Sequence, residues 1–428
     1  MNSSTENYCC CACVGDEFLS ARVKAEGEIA ECAQCGQERE AVTEFDLGQW
    51  IETVLEDHFE PGEGDSIATI IEEIAGLNET LSEEIAESLA SIAGYQASGG
   101  ETFYDSDDGY VVARRYPDMS DRRWESFRDS VRAEARFFNR TAEKWLDHVF
   151  GSLSEDRTWH GKEVFKTIEA GVGFFRARHV ADVAKAYEIL GRPAALLGPL
   201  PNGKGSAGRM NAAGVSVFYG ALDIDTCIAE IRPPVGSIAL SARFDLVRPV
   251  RLLDFDLLET VEAKCSHFDP EYDEKQERAM FLRAFGRRIA QPVMPDDEAF
   301  GYLPTQIVAD YLAQRPTPAI DGILFRSTQT GGRGRNVVLF NRASRVEPKP
   351  VQPREFELSV LDDIFGDAPA PIEPDPFPIN VDDGRLATLR IDPDSIQISD
   401  VRAVSYIEKR QSVEFWQLDL EERERECD

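Results

Sequence analysis

The sequence predicts an α+β chain made of several units, and three observations lead there. Two Cys-x-x-Cys pairs, Cys10/Cys13 and Cys32/Cys35, stand close together near the start. A long stretch after them carries apolar residues at helical spacing. From about residue 165 to 345, short apolar runs alternate with helical patterns and Gly-rich loops. The length of 428 residues suits about two to three domains. A hydrophobic fraction of 42% is enough for real cores. We divide the chain into residues 1–45, 46–150, 151–350 and 351–428.

The first unit reads as a zinc ribbon. Its two knuckles lie 18 residues apart, counted from Cys13 to the residue before Cys32. Four thiolates close a tetrahedral shell, and so short a segment has little core of its own. Metal binding would supply much of its folding energy. Cys9, Cys10 and Cys11 are consecutive, so the register of the first knuckle stays open between them. A cluster of reduced free thiols is the alternative. Cys227, Cys265 and Cys427 are isolated and read as structural or incidental.

The second unit is helical. SIATIIEEIAGLNETLSEEIAESLASI places apolar residues on one face and Glu on the other. Gly76 and Asn78 break it into two helices, and Thr80 with Glu83 suggests a capping box for the second. Another helix is expected from Asp121 to about Phe150. Its Trp124, Phe127, Val131, Phe137 and Phe138 form a core stripe.

The formal charge is −32, with 10 Lys against 36 Arg. Between Glu40 and Ala113 there are 19 acids and no Lys or Arg. Such a surface repels polyanions, which argues against broad nucleic-acid or membrane-surface binding. The balance suits a protein from strong brine, with an acidic protein of a GC-rich genome as the alternative. No apolar run approaches the roughly 18 residues of a membrane span. MNSSTENYCCC shows no charged-then-apolar leader, so a cytoplasmic location is expected.

The third unit holds two phosphate-loop decoys. Gly203-x-Gly205-x-x-Gly208 fits a dinucleotide fingerprint, but Pro199 and Pro201 precede it and Asn211 and Gly214 spoil a helix start. Gly198-x4-Gly203-Lys204 lacks the Ser or Thr of a P-loop, because Gly205 stands there. After this loop, VSVFYG reads as a strand carrying Tyr219. Asp223 caps a helix IDTCIAEIR that bears Glu230, and Pro233 and Pro234 stop it. GVGFFRARHV reads as a strand with Arg176. DGILFRSTQTGGRGRNVVLFN reads as strand, Gly/Arg-rich loop and strand, presenting Ser327 and Asn336. Taken alone, each of these residues has an ordinary structural explanation. The Pro/Asp-rich stretch at 368–384 reads as a loop or linker, followed by late strands in LATLRI and VRAVSYIE.

FFRAR, GRMNAAGVSVFYGALDIDTCIAEIRPP, DGILFRS and NVVLF, in this order, resemble the RES domain over roughly residues 170–345. The N-terminal CxxCVGDEFL and CAQCG, with the acidic helices, resemble the HEPN/RES N-terminal region. The resemblance implies an ADP-ribosyltransferase-like fold and a toxin- or defence-like enzyme that degrades NAD⁺ by phosphorolysis or hydrolysis. It implies Arg176, Glu230 and Ser327 as catalytic residues, and Arg209 and Tyr219 as substrate-binding ones. We add Asn336 to the binding group. The long acidic front end puts a two-gene arrangement with a helix-turn-helix antitoxin in doubt, although an antitoxin or regulatory partner and an oligomer remain expectations.

These residue types suit the chemistry. Breaking the nicotinamide–ribose bond leaves a sugar with oxocarbenium character, which a carboxylate stabilises. Arg176 and Arg209 suit the pyrophosphate, and Arg333 or Arg335 a phosphate co-substrate. The expected cofactor is structural Zn²⁺ at Cys10, Cys13, Cys32 and Cys35. Two alternatives stand beside this reading: an ADP-ribosyltransferase acting on a macromolecule, and a non-catalytic zinc-ribbon/helical interaction protein. HEPN ribonucleases use an Arg-x4–6-His motif; Arg140 and His148 are eight apart, so RNA cleavage is not expected.

Overall fold

The computed structural model describes residues 7–96, 102–104, 109–113, 116–180, 182–290, 298–347 and 384–404. The cysteine knuckles sit on a small antiparallel sheet of β1 (Tyr8–Cys10), β2 (Glu28–Glu31) and β3 (Glu38–Thr43), in the order β1-β3-β2. Between the knuckles runs α1 (Glu17–Glu26), opened by the Asp16 carboxylate, which accepts the Leu19 N–H at 2.9 Å. Thr43 caps α2 (Glu44–His58) and Ser66 caps α3 (Ile67–Ala75). Between α2 and α3, β4 (Phe59–Asp65) pairs with β5 (Tyr110–Val112).

Helix α3 ends at Gly76, whose φ of 64° is left-handed and unfavourable for a residue with a Cβ. Helix α4 (Glu79–Gln96) starts immediately after. Its cap is Asn78, whose Oδ1 accepts the Leu81 N–H at 2.9 Å. Thr80, expected as the cap, lies inside the helix. Asn78 takes the role because its short amide reaches a free N–H as soon as Gly76 has turned the chain. Cys9, Val14, Leu19 and Val23 share one core with Leu47, Ile51, Ile71 and Leu81, so ribbon and helices pack together.

The helix expected over 121–150 is interrupted. Helix α5 (Tyr116–Asp129) runs into a π-helical turn (Ser130–Glu134), and α6 (Arg140–Phe150) restarts under an Asn139 cap. Trp124, Phe127 and Val131 are buried as expected. Phe137 and Phe138 are not: they sit in the connecting turn, 81% and 101% exposed, and Phe138 has a φ of 58°. A cap residue needs non-helical backbone, so the periodic pattern could not continue through Asn139.

The rest forms a mixed α+β body around an eight-stranded sheet. Along the chain come β6 (Arg157–Thr158), β7 (Phe165–Ile168), β8 (Gly173–Val180), α7 (Val183–Gly191), α8 (Pro193–Leu196), β9 (Phe218–Ala221) and α9 (Ile224–Glu230). Then follow β10 (Ile238–Leu246), β11 (Val250–Asp254), α10 (Phe255–Leu258), β12 (Val261–Glu262), α11 (Tyr272–Ala290), α12 (Glu298–Gly301) and α13 (Leu303–Gln314). Last are β13 (Gly322–Arg326), β14 (Arg335–Leu339) and β15 (Leu389–Asp400). The sheet order is β15-β10-β8-β9-β14-β13-β11-β7; β11 and β13 are parallel, and the other pairs are antiparallel. Strand alternation divides its apolar residues between two faces. Phe174, Phe218, Leu240, Phe244, Val337 and Leu339 pack with Ile189 and Leu190 of α7. Leu253, Ile323 and Val338 pack with Phe150 of α6, Leu282 and Phe285 of α11, and Val308 of α13.

Residues 368–383 of the Pro/Asp-rich stretch lie outside the described residues, as do 405–408 of VRAVSYIE; its residues 401–404, expected as a strand, are irregular, because pairing with β10 ends at Asp400. LATLRI leads into β15. Among the described residues, no helix is long and apolar enough to cross a membrane.

Candidate functional site

Four adjacent strands, β8, β9, β14 and β13, share one register row of Phe175, Ala221, Asn336 and Phe325. Over this row lies α9. Asp223 starts it by accepting the Thr226 N–H at 2.7 Å. It ends at Glu230, before the positive φ of Arg232 and the prolines at 233 and 234. Glu230 Oε1 accepts two hydrogen bonds, from Ser327 Oγ at 2.6 Å and from Asn336 Nδ2 at 2.7 Å. The partners are 97 and 106 residues away in sequence, so only the fold brings them together. Ser327 and Asn336 are buried, while Glu230 is exposed. Among the described residues Glu230 forms no ion pair, and its Oε2 accepts no hydrogen bond. One carboxylate oxygen is fixed and the other is open. Asn336 Oδ1 is buried without a partner.

The loop from β13 to β14 is tied to itself. The Ser327 N–H donates to the Gly334 carbonyl at 2.8 Å, and the Gly334 N–H donates to Thr330 Oγ1 at 2.9 Å. Gly334 touches α9: a Cβ there would stand 1.8 Å from Thr226 Oγ1. It sets the height of α9 over the loop, and so the position of Glu230. Sequence reasoning treated this glycine only as loop composition; the GGRG run was its one visible signal.

Strands β8 and β9 are joined by a single register pair, Phe175 with Ala221. One residue along, a side chain replaces the ladder: Arg176 Nη1 donates to the Tyr219 carbonyl at 3.1 Å. The Arg176 guanidinium also lies 5.5 Å from the centroid of the Phe218 ring. Burial, with a further push from the Arg178 charge, brings its pKa down to about 10. Cys227 of α9 feels both ends of the site. Burial pushes its thiol up to about 12, Arg176 opposes this, and Asp223 and Glu230 add to it.

Tyr219 and Arg209 are engaged in holding the loop before β9. Tyr219 Oη accepts the Met210 N–H at 2.9 Å and donates to Asn211 Oδ1 at 2.8 Å. Burial pushes its phenol up, while the Met210 N–H, Arg176 and Arg209 oppose this. Arg209 Nη1 donates to the Ile289 carbonyl, and its guanidinium lies 5.3 Å from the Tyr302 ring centroid. Of the two cations considered for phosphate, Arg335 is bound to Asp254 and Asp256. Arg333 is exposed, and its Nε donates to the Thr330 carbonyl at 3.2 Å. Direct contact therefore joins Glu230, Ser327 and Asn336. Arg176 meets Tyr219 through its backbone, and Arg209 is held against the end of α11.

The N-terminal cysteines form a separate site. The sulfurs of Cys10, Cys13, Cys32 and Cys35 all lie within 4.8 Å of one another. The Cys10–Cys13, Cys10–Cys35 and Cys13–Cys32 separations are 3.8, 3.7 and 3.8 Å. A zinc ion about 2.3 Å from each of four sulfurs gives tetrahedron edges of about 3.8 Å, so the cluster fits. Of the three consecutive cysteines, Cys10 is the one in the cluster; Cys9 is buried in the helical core and burial raises its thiol to about 12. Burial pushes the Cys32 thiol up, but the N–H groups of Cys10, Cys35 and Gln34 outweigh it and bring the pKa down to about 7. At Cys32 this favours a thiolate, the form that binds metal, whereas burial pushes the Cys10 and Cys13 thiols up.

Residues 181–360 match the family model described as RES domain. The matched segment holds Arg209, Tyr219, Glu230, Ser327 and Asn336; Arg176 and the cysteine cluster lie before it. No curated protein and no solved structure matches the chain.

Proposed function

We propose that this chain degrades NAD⁺ by cleaving the bond between nicotinamide and ribose. The observation that supports this best is Glu230, with Oε1 fixed by two neutral donors and Oε2 open. Neutral donors orient a carboxylate without cancelling its charge. As the glycosidic bond breaks, its electrons go to the nicotinamide nitrogen and positive charge grows on the sugar. A fixed carboxylate at that carbon stabilises the charge more in the transition state than in the ground state. A phosphate oxygen or a water then bonds to the same carbon, and water releases one proton in doing so. Arg176, held at the opening between β8 and β9, suits the anionic part of the dinucleotide. The RES-domain match supports an NAD-related, toxin- or defence-like role. The cysteine cluster would hold structural zinc and fold the ribbon; four thiolates leave no open position for a substrate.

The test is chromatography of NAD⁺ products from the purified chain, with and without phosphate. ADP-ribose-1″-phosphate marks phosphorolysis, and ADP-ribose marks hydrolysis. Glu230→Ala is expected to abolish NAD⁺ loss while keeping a native melting curve. Loss at the wild-type rate in that variant sinks the proposal. A labelled macromolecule after incubation with labelled NAD⁺ would identify an ADP-ribosyltransferase instead.

A further inference from the structure

Arg178 is a second half-buried cation beside Arg176. The two stand at alternate positions of β8, opposite Leu240 and Ala242 of β10, and so share one side of the strand. Their Cα atoms are therefore about 7 Å apart. Arg178 Nη2 donates to the Gly198 carbonyl at 3.1 Å, as Arg176 Nη1 does to that of Tyr219. Both Nε atoms are buried without a hydrogen-bond partner. Among the described residues, neither guanidinium has a carboxylate in ion-pair range. Two like charges are thus held side by side at the opening of the sheet, in a protein whose net charge is −32. Burying charge without a counterion is costly, and leaving donors unused adds to the cost. Burial shifts both guanidinium pKa values down; at Arg176 the Arg178 charge adds to this, while Cys227 and Tyr219 oppose it and no carboxylate does.

We propose that Arg176 and Arg178 together form the binding site for a phosphate or diphosphate group. The inference rests on the NAD⁺ reading for the identity of the guest, and it changes the partner of Arg176. Arg209, the partner expected from sequence, lies on another element and donates to the Ile289 carbonyl, whereas Arg178 stands two residues from Arg176 on the same strand. Two planar guanidiniums offer paired donors that match tetrahedral oxyanions. The group has two sources, the diphosphate of the dinucleotide or free inorganic phosphate.

The experiment titrates inorganic phosphate and, separately, ADP-ribose into the full-length chain, wild type and Arg178→Gln, by calorimetry and melting. Arg178→Gln is expected to weaken binding by about tenfold or more, the effect of losing a charge-assisted hydrogen bond. Weakening of phosphate alone assigns the site to the inorganic ion; weakening of ADP-ribose assigns it to the dinucleotide. The unliganded variant is expected to melt at or above the wild-type temperature, because one of two repelling charges is gone. A simple brace to Gly198 would instead lower that temperature and leave ligand shifts intact, and this result overturns the proposal. Wild-type affinity in the variant, or no binding of either anion by the wild type, also overturns it. Arg178→Lys keeps the charge without the fork, and should bind with intermediate affinity if Arg178→Gln fails to fold; unchanged affinity there sinks the idea. Anion binding and NAD⁺ cleavage are measured separately, so either proposal can fail alone.

Discussion

Replacing Ser327 with Ala tests whether Glu230 must be held in place. Ser327 is fully buried and its Oγ lies 2.6 Å from Glu230 Oε1, a short hydrogen bond to a charged acceptor. Such bonds contribute roughly 1.5–3 kcal/mol. The variant leaves Asn336 Nδ2 as the remaining donor, at 2.7 Å. Glu230 is exposed, so water takes up part of the loss, and global stability should fall by about 1 kcal/mol or less. Catalysis has no such substitute, because water does not fix the direction of Oε2. At about 1.4 kcal/mol per factor of ten, kcat should fall about tenfold to a hundredfold. KM should stay within about twofold, since Ser327 holds the carboxylate and not the dinucleotide. The assay is the initial rate of NAD⁺ loss over a range of concentrations. Adding Asn336→Ala should cost less than the sum of the single losses, because both donors serve one oxygen. A Ser327→Ala enzyme with kcat within about twofold of wild type would refute the reasoning.

Two further outcomes follow from packing. Gly334→Ala should reduce NAD⁺ cleavage about as severely as losing Ser327, without any change to a polar group, because its Cβ would collide with Thr226 Oγ1 at 1.8 Å; wild-type kinetics would show that α9 does not rest on this loop. The purified chain should carry about one zinc by metal analysis, lost with Cys32→Ser and kept with Cys9→Ser. A strong chelator should expose amides of α2 and α3 to hydrogen exchange, since Cys9 and Val14 share their core; protection unchanged by chelation would separate the metal from that core.

The local parts of the site are legible in the chain. Short apolar runs mark β8, β9, β13 and β14, and Asp223 followed by an apolar helix and two prolines marks α9 at both ends. Order along the chain also pointed to Glu230 and Ser327. Local patterns fail where a distant residue decides. Arg335 looks like a free cation until Asp254, 81 residues away, takes it. Arg209 meets the end of α11, 80 residues away, where the Ile289 carbonyl accepts from it. Cys9, Cys10 and Cys11 are equivalent as letters; burial of Cys9 in the helical core separates them. Asn78 displaces Thr80 as a cap, and Phe137 leaves the core, because left-handed residues at Gly76 and Phe138 cut periodicities that run on in the letters.

The lone register pair between β8 and β9 has a mechanical consequence. In a fully zipped sheet, neighbouring backbones would have to be pried apart before anything as bulky as a nucleotide wedged between them. Here that seam is left unstitched beyond Phe175 and Ala221, with a guanidinium standing in for the missing amide at Tyr219. The strands on either side keep their own neighbours, β10 and β14, so the seam stands between two rigid jambs and is bridged by a side chain that can swing, not by a ladder that must break.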